Sequence, residues 1–149
     1  MVQSAQPIIS YNYGSGSVGR VRAAFGLSLR VALLCGVVVC ASIFILAPGI
    51  VSLFIPVDSE AGILAVGGLP VYSVCSVFFA LNIAYIGYFQ SIGAAMRAML
   101  LTLLRGIVFL VPLFYILPHL WPGLGLWAAI PAAEVLTFLV ILLTSRPTK

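Results

Sequence analysis

The sequence predicts an all-α integral membrane protein with four transmembrane helices and both termini in the cytoplasm. Three observations predict it. The chain of 149 residues is 63% hydrophobic and only 7% charged, a balance that fits neither a soluble globular domain nor a disordered chain. Its mean hydropathy is +1.25, and its apolar residues fall into runs of about 20, enough to cross a hydrocarbon core at about 1.5 Å per residue. The basic residues gather on one side of those runs and the acids on the other, as positive-inside sorting requires.

Residues 1–22 form a polar, Gly- and Ser-rich cytoplasmic leader, and residues 23–149 form the transmembrane region. The polar, uncharged Met1–Gln6 does not resemble a cleavable signal, so the first span is expected to act as its own insertion signal unless an earlier one precedes it. Gly14, Gly16 and Gly19 satisfy the G-x-G-x-x-G pattern. That fingerprint needs a strand before it and an acid about 20 residues after it, whereas a polar leader precedes this one and apolar residues around Val39 follow. A flexible turn ahead of a helix is the better reading.

The first span is placed at about 31–55, led in by Arg20, Arg22 and Arg30, with a kink expected at Pro48 and Gly49. Asp58 and Glu60 follow in a short acidic loop, after which no charge occurs until Arg97. This uncharged stretch exceeds one bilayer crossing. It is divided at Gly67, Gly68 and Pro70 into a short amphiphilic segment and a second span at about 71–90. Asn82 lies in that span with Phe78 and Tyr85 on its face, where an interhelical hydrogen bond worth about 0.6 kcal/mol is the plain structural reading. Ser91 to Arg97 makes a tight turn, and the third span, about 98–117, carries Arg105 in its first half and a helix-breaking Pro112 in its second. Pro118 to Gly123 turns the chain back, with Tyr115, Trp121 and Trp127 at headgroup level.

The fourth span, about 124–144, places one carboxylate, Glu134, near the middle of the bilayer. A charge there costs about 2.5–3.5 kcal/mol on insertion scales, so such a group faces protein or water and has a partner or a task. Pro131 sits one turn earlier and removes the helical donor of the Trp127 carbonyl, so that Pro131, Glu134 and Thr137 form a kinked polar stripe. Ala128 with Ala132, and Ala129 with Ala133, repeat the small-xxx-small spacing that lets helices approach closely. The third and fourth spans form an antiparallel hairpin, which brings Arg105 to within one turn of Glu134. Two readings stay open for Arg105: it shares a hydrated interior with Glu134, or it snorkels to cytoplasmic headgroups.

On this side of the bilayer lie Arg20, Arg22, Arg30, Arg97, Arg146 and Lys149, while Asp58, Glu60 and His119 lie on the other. The net charge of +4 is too scattered for a nucleic-acid surface. Cys35, Cys40 and Cys75 fall in apolar runs at unrelated spacings and read as small buried hydrophobes, with no disulfide framework. His119 has no companion ligands at metal-binding spacing, and no nucleophile, base and orienting group recur at a usable spacing, so neither a metal site, a cofactor nor an enzyme is expected.

Three local patterns carry a resemblance. They are Gln6-Pro7-Ile8-Ile9-Ser10-Tyr11-Asn12-Tyr13-Gly14 before a span; Phe89-Gln90-Ser91-Ile92-Gly93 followed by Leu103-Leu104-Arg105; and Gly125-Leu126-Trp127 with Pro131-Ala132-Ala133-Glu134. In this order and setting the chain resembles the C-terminal part, the last four transmembrane helices, of multidrug and toxin extrusion (MATE) transporters. The resemblance implies part of the C-terminal lobe of a twelve-helix secondary antiporter in a bacterial plasma membrane. Such a protein exports cationic or amphipathic drugs in exchange for sodium or protons. It also implies that the chain, a fragment or truncated form, is incomplete alone and needs the missing transporter helices or a second copy. Small organic cations are the implied substrate, and Glu134, Arg105, Asn82 and Thr137 are the coupling candidates. A small four-span exporter that dimerises is a second transport reading, although its essential carboxylate is expected in the first span, which has none. The alternative outside transport is a structural or accessory four-span protein that binds another membrane subunit through its polar faces.

Overall fold

A computed structural model describes the backbone of residues 2–144 and side chains from Ser4 onward. Among these residues every regular element is a helix: α1 (Val2–Gly14), α2 (Val18–Ser52), α3 (Glu60–Ser73), α4 (Cys75–Ser91), α5 (Ala95–Leu103), a π-helical segment (Leu104–Phe109), α6 (Leu110–Leu120) and α7 (Gly125–Thr144). Four stretches are long and apolar enough to cross a membrane: α2, α3 with α4, α5 through α6, and α7. They alternate in direction. The ends therefore sort by charge, with Arg20, Arg22 and Arg97 at one end and Asp58, Glu60 and His119 at the other. Arg146 and Lys149, expected at the basic end, lie outside the described residues.

Part of the polar leader is a helix, α1, and the helical chain of the first span begins at Val18 rather than near residue 31. Glycine and serine lowered the apolar signal of this region without preventing helix formation, because tertiary contacts override weak propensity. Gln6 Nε2 donates to Gln90 Oε1 at 3.1 Å and Ser10 Oγ donates to the Ser91 carbonyl at 3.0 Å, pinning α1 against the end of α4. The expected turn is present at residues 15–17, where Gly16 takes φ +72°. A helix precedes it, so the G-x-G-x-x-G pattern has no strand to serve.

The division expected at Gly67, Gly68 and Pro70 is absent. Helix α3 runs through all three residues, and the discontinuity falls at Val74. These glycines give room rather than a turn: a Cβ on Gly68 would collide with the Trp127 ring of α7. The start of α3 is fixed locally, since Ser59 Oγ accepts from Gly62 N–H at 3.0 Å, an N-cap bond. Helix α2 passes through Pro48 and Gly49 and ends at Ser52. In the third span the π-helical segment lies just before Pro112, where the proline leaves an upstream carbonyl without its usual donor.

Small residues bring the helices together. A Cβ on Gly36 of α2 would lie 2.8 Å from Val77 Cα of α4, and Ser76 Oγ donates to the Gly36 carbonyl across that contact at 3.1 Å. On α7 the buried positions Gly125, Ala129, Ala133, Thr137 and Ile141 recur every four residues, forming one packed ridge. The core at the basic end joins Ile86, Phe89, Ala98, Leu101 and Ile141. Cysteines follow no common rule: Cys75 is buried and Cys40 half-buried, but Cys35 is exposed on α2, contrary to the reading of all three as buried. Gly68→Ala is expected to displace the Trp127 indole and destabilise the bundle by about 1–3 kcal/mol, the usual cost of overpacking. Thermal unfolding in mild detergent, followed by tryptophan fluorescence, measures it.

Candidate functional site

The residues that carry chemistry meet where α4, α7 and the π-helical segment pack together. Glu134 is buried, 5% exposed, and Asn82 is fully buried. Asn82 Nδ2 donates to Glu134 Oε2 at 2.7 Å and to the Glu134 carbonyl at 2.9 Å, so one amide holds both the side chain and the backbone of α7. Arg105 approaches from the π-helical segment, its Nε 3.6 Å from Glu134 Oε1. Its guanidinium carbon lies 4.9 Å from the centroid of the Phe79 ring, within cation–π range. Of the two readings for Arg105, the structure thus shows the guanidinium turned to Glu134.

The local sequence explains this convergence. Phe79 and Asn82 are three residues apart on α4 and share a face, one meeting the guanidinium and the other the carboxylate. Pro131, Glu134 and Thr137 form a buried stripe on α7, as their spacing predicts. Ala129 and Ala133 beside them are 0% and 1% exposed, which lets α7 approach its neighbours closely. A π-helical turn shifts side-chain direction relative to an α-helix, and such turns recur at functional positions. Two polar atoms of the cluster, Asn82 Oδ1 and Arg105 Nη1, are buried without a hydrogen-bond partner.

The other expected site residues lie elsewhere. Thr137 is fully buried, but its hydroxyl donates to the Ala133 carbonyl at 2.8 Å within α7. Pro48 sits near the far end of α2 and Pro112 in α6, past the π-helical segment. The motif residues meet at the basic end: Gln6 bonds Gln90, and Asn12 Nδ2 donates to the Ile8 carbonyl at 2.8 Å. Pro7 is inside α1, Gly14 ends it, Tyr11 is exposed, and Gly93 turns between α4 and α5 with φ +77°. Sequence reasoning missed Phe79. Its signal was the i, i+3 relation to Asn82.

Four membrane-crossing stretches with a carboxylate, an amide and a guanidinium packed inside them define a multi-pass α-helical membrane protein. The MatE family profile matches residues 1–116, and the chain belongs to this family. Helix α7, with Glu134, lies beyond the matched residues, and its place in the fold rests on structural likeness. The chain is similar to the outward-facing conformation of a multidrug resistance MATE family transporter of the MOP superfamily, at 23% identity and TM-score 0.86, covering 96% of this chain and 32% of that one. It is similar to the inward-facing conformation of such a transporter at 25% identity and TM-score 0.83, covering 96% and 33%. A MATE structure in complex with MaL6 gives 24% identity and TM-score 0.80, with 96% and 33% covered. The chain thus spans about one third of the length of these structures. No curated protein sequence matches it.

Removing one member of the cluster should cost more than removing two. Arg105→Gln leaves the buried carboxylate with Asn82 alone and is expected to destabilise the bundle by about 3 kcal/mol, whereas Arg105→Gln combined with Glu134→Gln recovers part of that loss. A double-mutant cycle on detergent unfolding checks this; additive losses would show that the two groups do not interact.

Proposed function

We propose that this chain forms part of a MATE-type secondary antiporter that exports cationic or amphipathic compounds in exchange for sodium or protons. The observation that carries the reading is a buried Glu134 in the middle of a membrane-crossing helix, held by Asn82 and Arg105 within a MATE fold. An intramembrane carboxylate with partners is a default ion or proton acceptor, and the unpartnered Asn82 Oδ1 adds a second oxygen beside it. Arg105 serves as the resident counter-charge when the coupling ion leaves. The basic end of the bundle faces the cytoplasm of a bacterial plasma membrane, because positive residues are retained there.

The remaining partner is the rest of the transporter. Helix α1 is pinned to the end of α4 by Gln6 and Ser10. Beside it a groove of about 570 Å³ opens between α1, α2 and α4, lined by Ser4, Ile8, Leu27, Val31, Cys35 and Phe79. Further transporter helices packed here would cover it. The exposed apolar surface also supports a second reading, an accessory protein bound to another membrane subunit, or a second copy of the chain.

Two measurements test these statements. In efflux-deficient cells expressing the transporter that contains this chain, Glu134→Gln is expected to abolish the sodium or proton dependence of drug efflux. Unchanged efflux and unchanged ion dependence would remove Glu134 from the mechanism. Brominated lipid should quench a fluorophore attached at Cys35, exposed on α2, in the chain alone and quench it less when the other transporter helices are supplied. A Cys35 to Cys35 crosslink between copies would instead support the second-copy reading.

A further inference from the structure

A second groove lies at the basic end of the bundle, about 310 Å³ in volume, lined by Phe89, Arg97, Leu100, Leu101, Leu104, Val140 and Thr144. We propose that it is a binding site for one anionic phospholipid, with an acyl chain along the apolar floor and the phosphate on Arg97. This goes beyond the transport reading and does not depend on it.

The floor is preformed. Phe89 and Leu101 belong to the buried core, with Leu104 and Val140 packed on it, while Leu100 is about half exposed and forms the open side. From Arg97 to Leu104 the groove descends about 10 Å along the helix axis, starting at the membrane end of the third span. A helix is about 10–12 Å across and does not fit such a volume, whereas a single acyl chain does. Thr144 brings no competing donor, because its hydroxyl proton is used on the Val140 carbonyl at 2.7 Å.

Charge selects the headgroup. The whole sequence has three acidic residues, Asp58, Glu60 and Glu134. The first two lie at the opposite end of the bundle, and Glu134 is engaged by Asn82 and Arg105. Arg97 is exposed and has no side-chain carboxylate near it, so its natural counter-ion is a phosphate. An ethanolamine or choline headgroup would bring a cation with no side-chain acid to receive it. Phosphatidylglycerol, with phosphate and hydroxyls only, fits; basic grooves between helices at the cytoplasmic side hold such headgroups.

The test uses the purified chain in neutral detergent, titrated with dioleoyl phosphatidylglycerol and with dioleoyl phosphatidylcholine, counting retained lipid by native mass spectrometry. One retained phosphatidylglycerol, with no competition from glycerol phosphate, is the expected result. Arg97→Gln should weaken its retention about fivefold, the contribution of one basic residue beside anionic lipid, and Arg97→Lys should restore most of it. Leu100→Trp fills the groove, keeps the charge and should also displace the lipid. Arg20→Gln removes a cation at the same end outside the groove and should change nothing. Equal retention of the two lipids, competition by glycerol phosphate, or equal losses from Arg97→Gln and Arg20→Gln would each overturn the proposal. Helical content by circular dichroism verifies that every variant compared is folded.

Discussion

A carboxylate that must be kept inside an apolar bundle is the constraint on which this structure turns. Glu134 is only 5% exposed, and the protein supplies polar groups to it. Asn82 provides two donor contacts, one to the carboxylate and one to the backbone carbonyl of the same residue. Arg105 provides the opposite charge at 3.6 Å, and Phe79 supports the other side of the guanidinium. Three chain segments are thereby fixed at one depth. A buried pair of this type adds little net stability over apolar packing, but removing one partner leaves an uncompensated buried charge and is strongly destabilising.

The surrounding packing serves that constraint. Asn82 reaches Glu134 only because α7 lies close to α4, and the small, fully buried Ala129 and Ala133 on the packed ridge of α7 allow close helix approach. Further along, the Trp127 indole is seated over Gly68, which ties α7 to α3. The π-helical segment has a comparable role on the other side, because it contains Arg105 and precedes a proline that an ordinary α-helix accommodates poorly. Backbone irregularity and buried charge thus occur together, in a place where each is tolerated because protein surrounds it.

Much of this was legible in the sequence, and the reasons are physical. Long apolar runs identify membrane-crossing segments without any knowledge of packing, and helical spacing alone places Pro131, Glu134 and Thr137 on one stripe. Hairpin geometry brought Arg105 to the depth of Glu134. Other features depend on distant contacts. The bond between Asn82 and Glu134 joins residues in different spans, and nothing local to Asn82 names its partner. Helix α1 was hidden because its Gly, Ser, Pro and Asn content is turn-like until Gln90 and Ser91 hold it against α4. At Gly67, Gly68 and Pro70 the turn rule failed for the opposite reason: glycine also appears where a large side chain needs a flat helix surface, and only the position of Trp127 distinguishes the two uses.

The fold built around this cluster is matched by MATE structures in two conformations. This chain superposes at TM-score 0.86 on an outward-facing structure and 0.83 on an inward-facing one. The same order and packing of helices is thus compatible with both arrangements. Inside this unit the charge of Glu134 is met by Arg105 and Asn82, and the apolar surroundings make losing either partner costly, because an uncompensated buried charge remains.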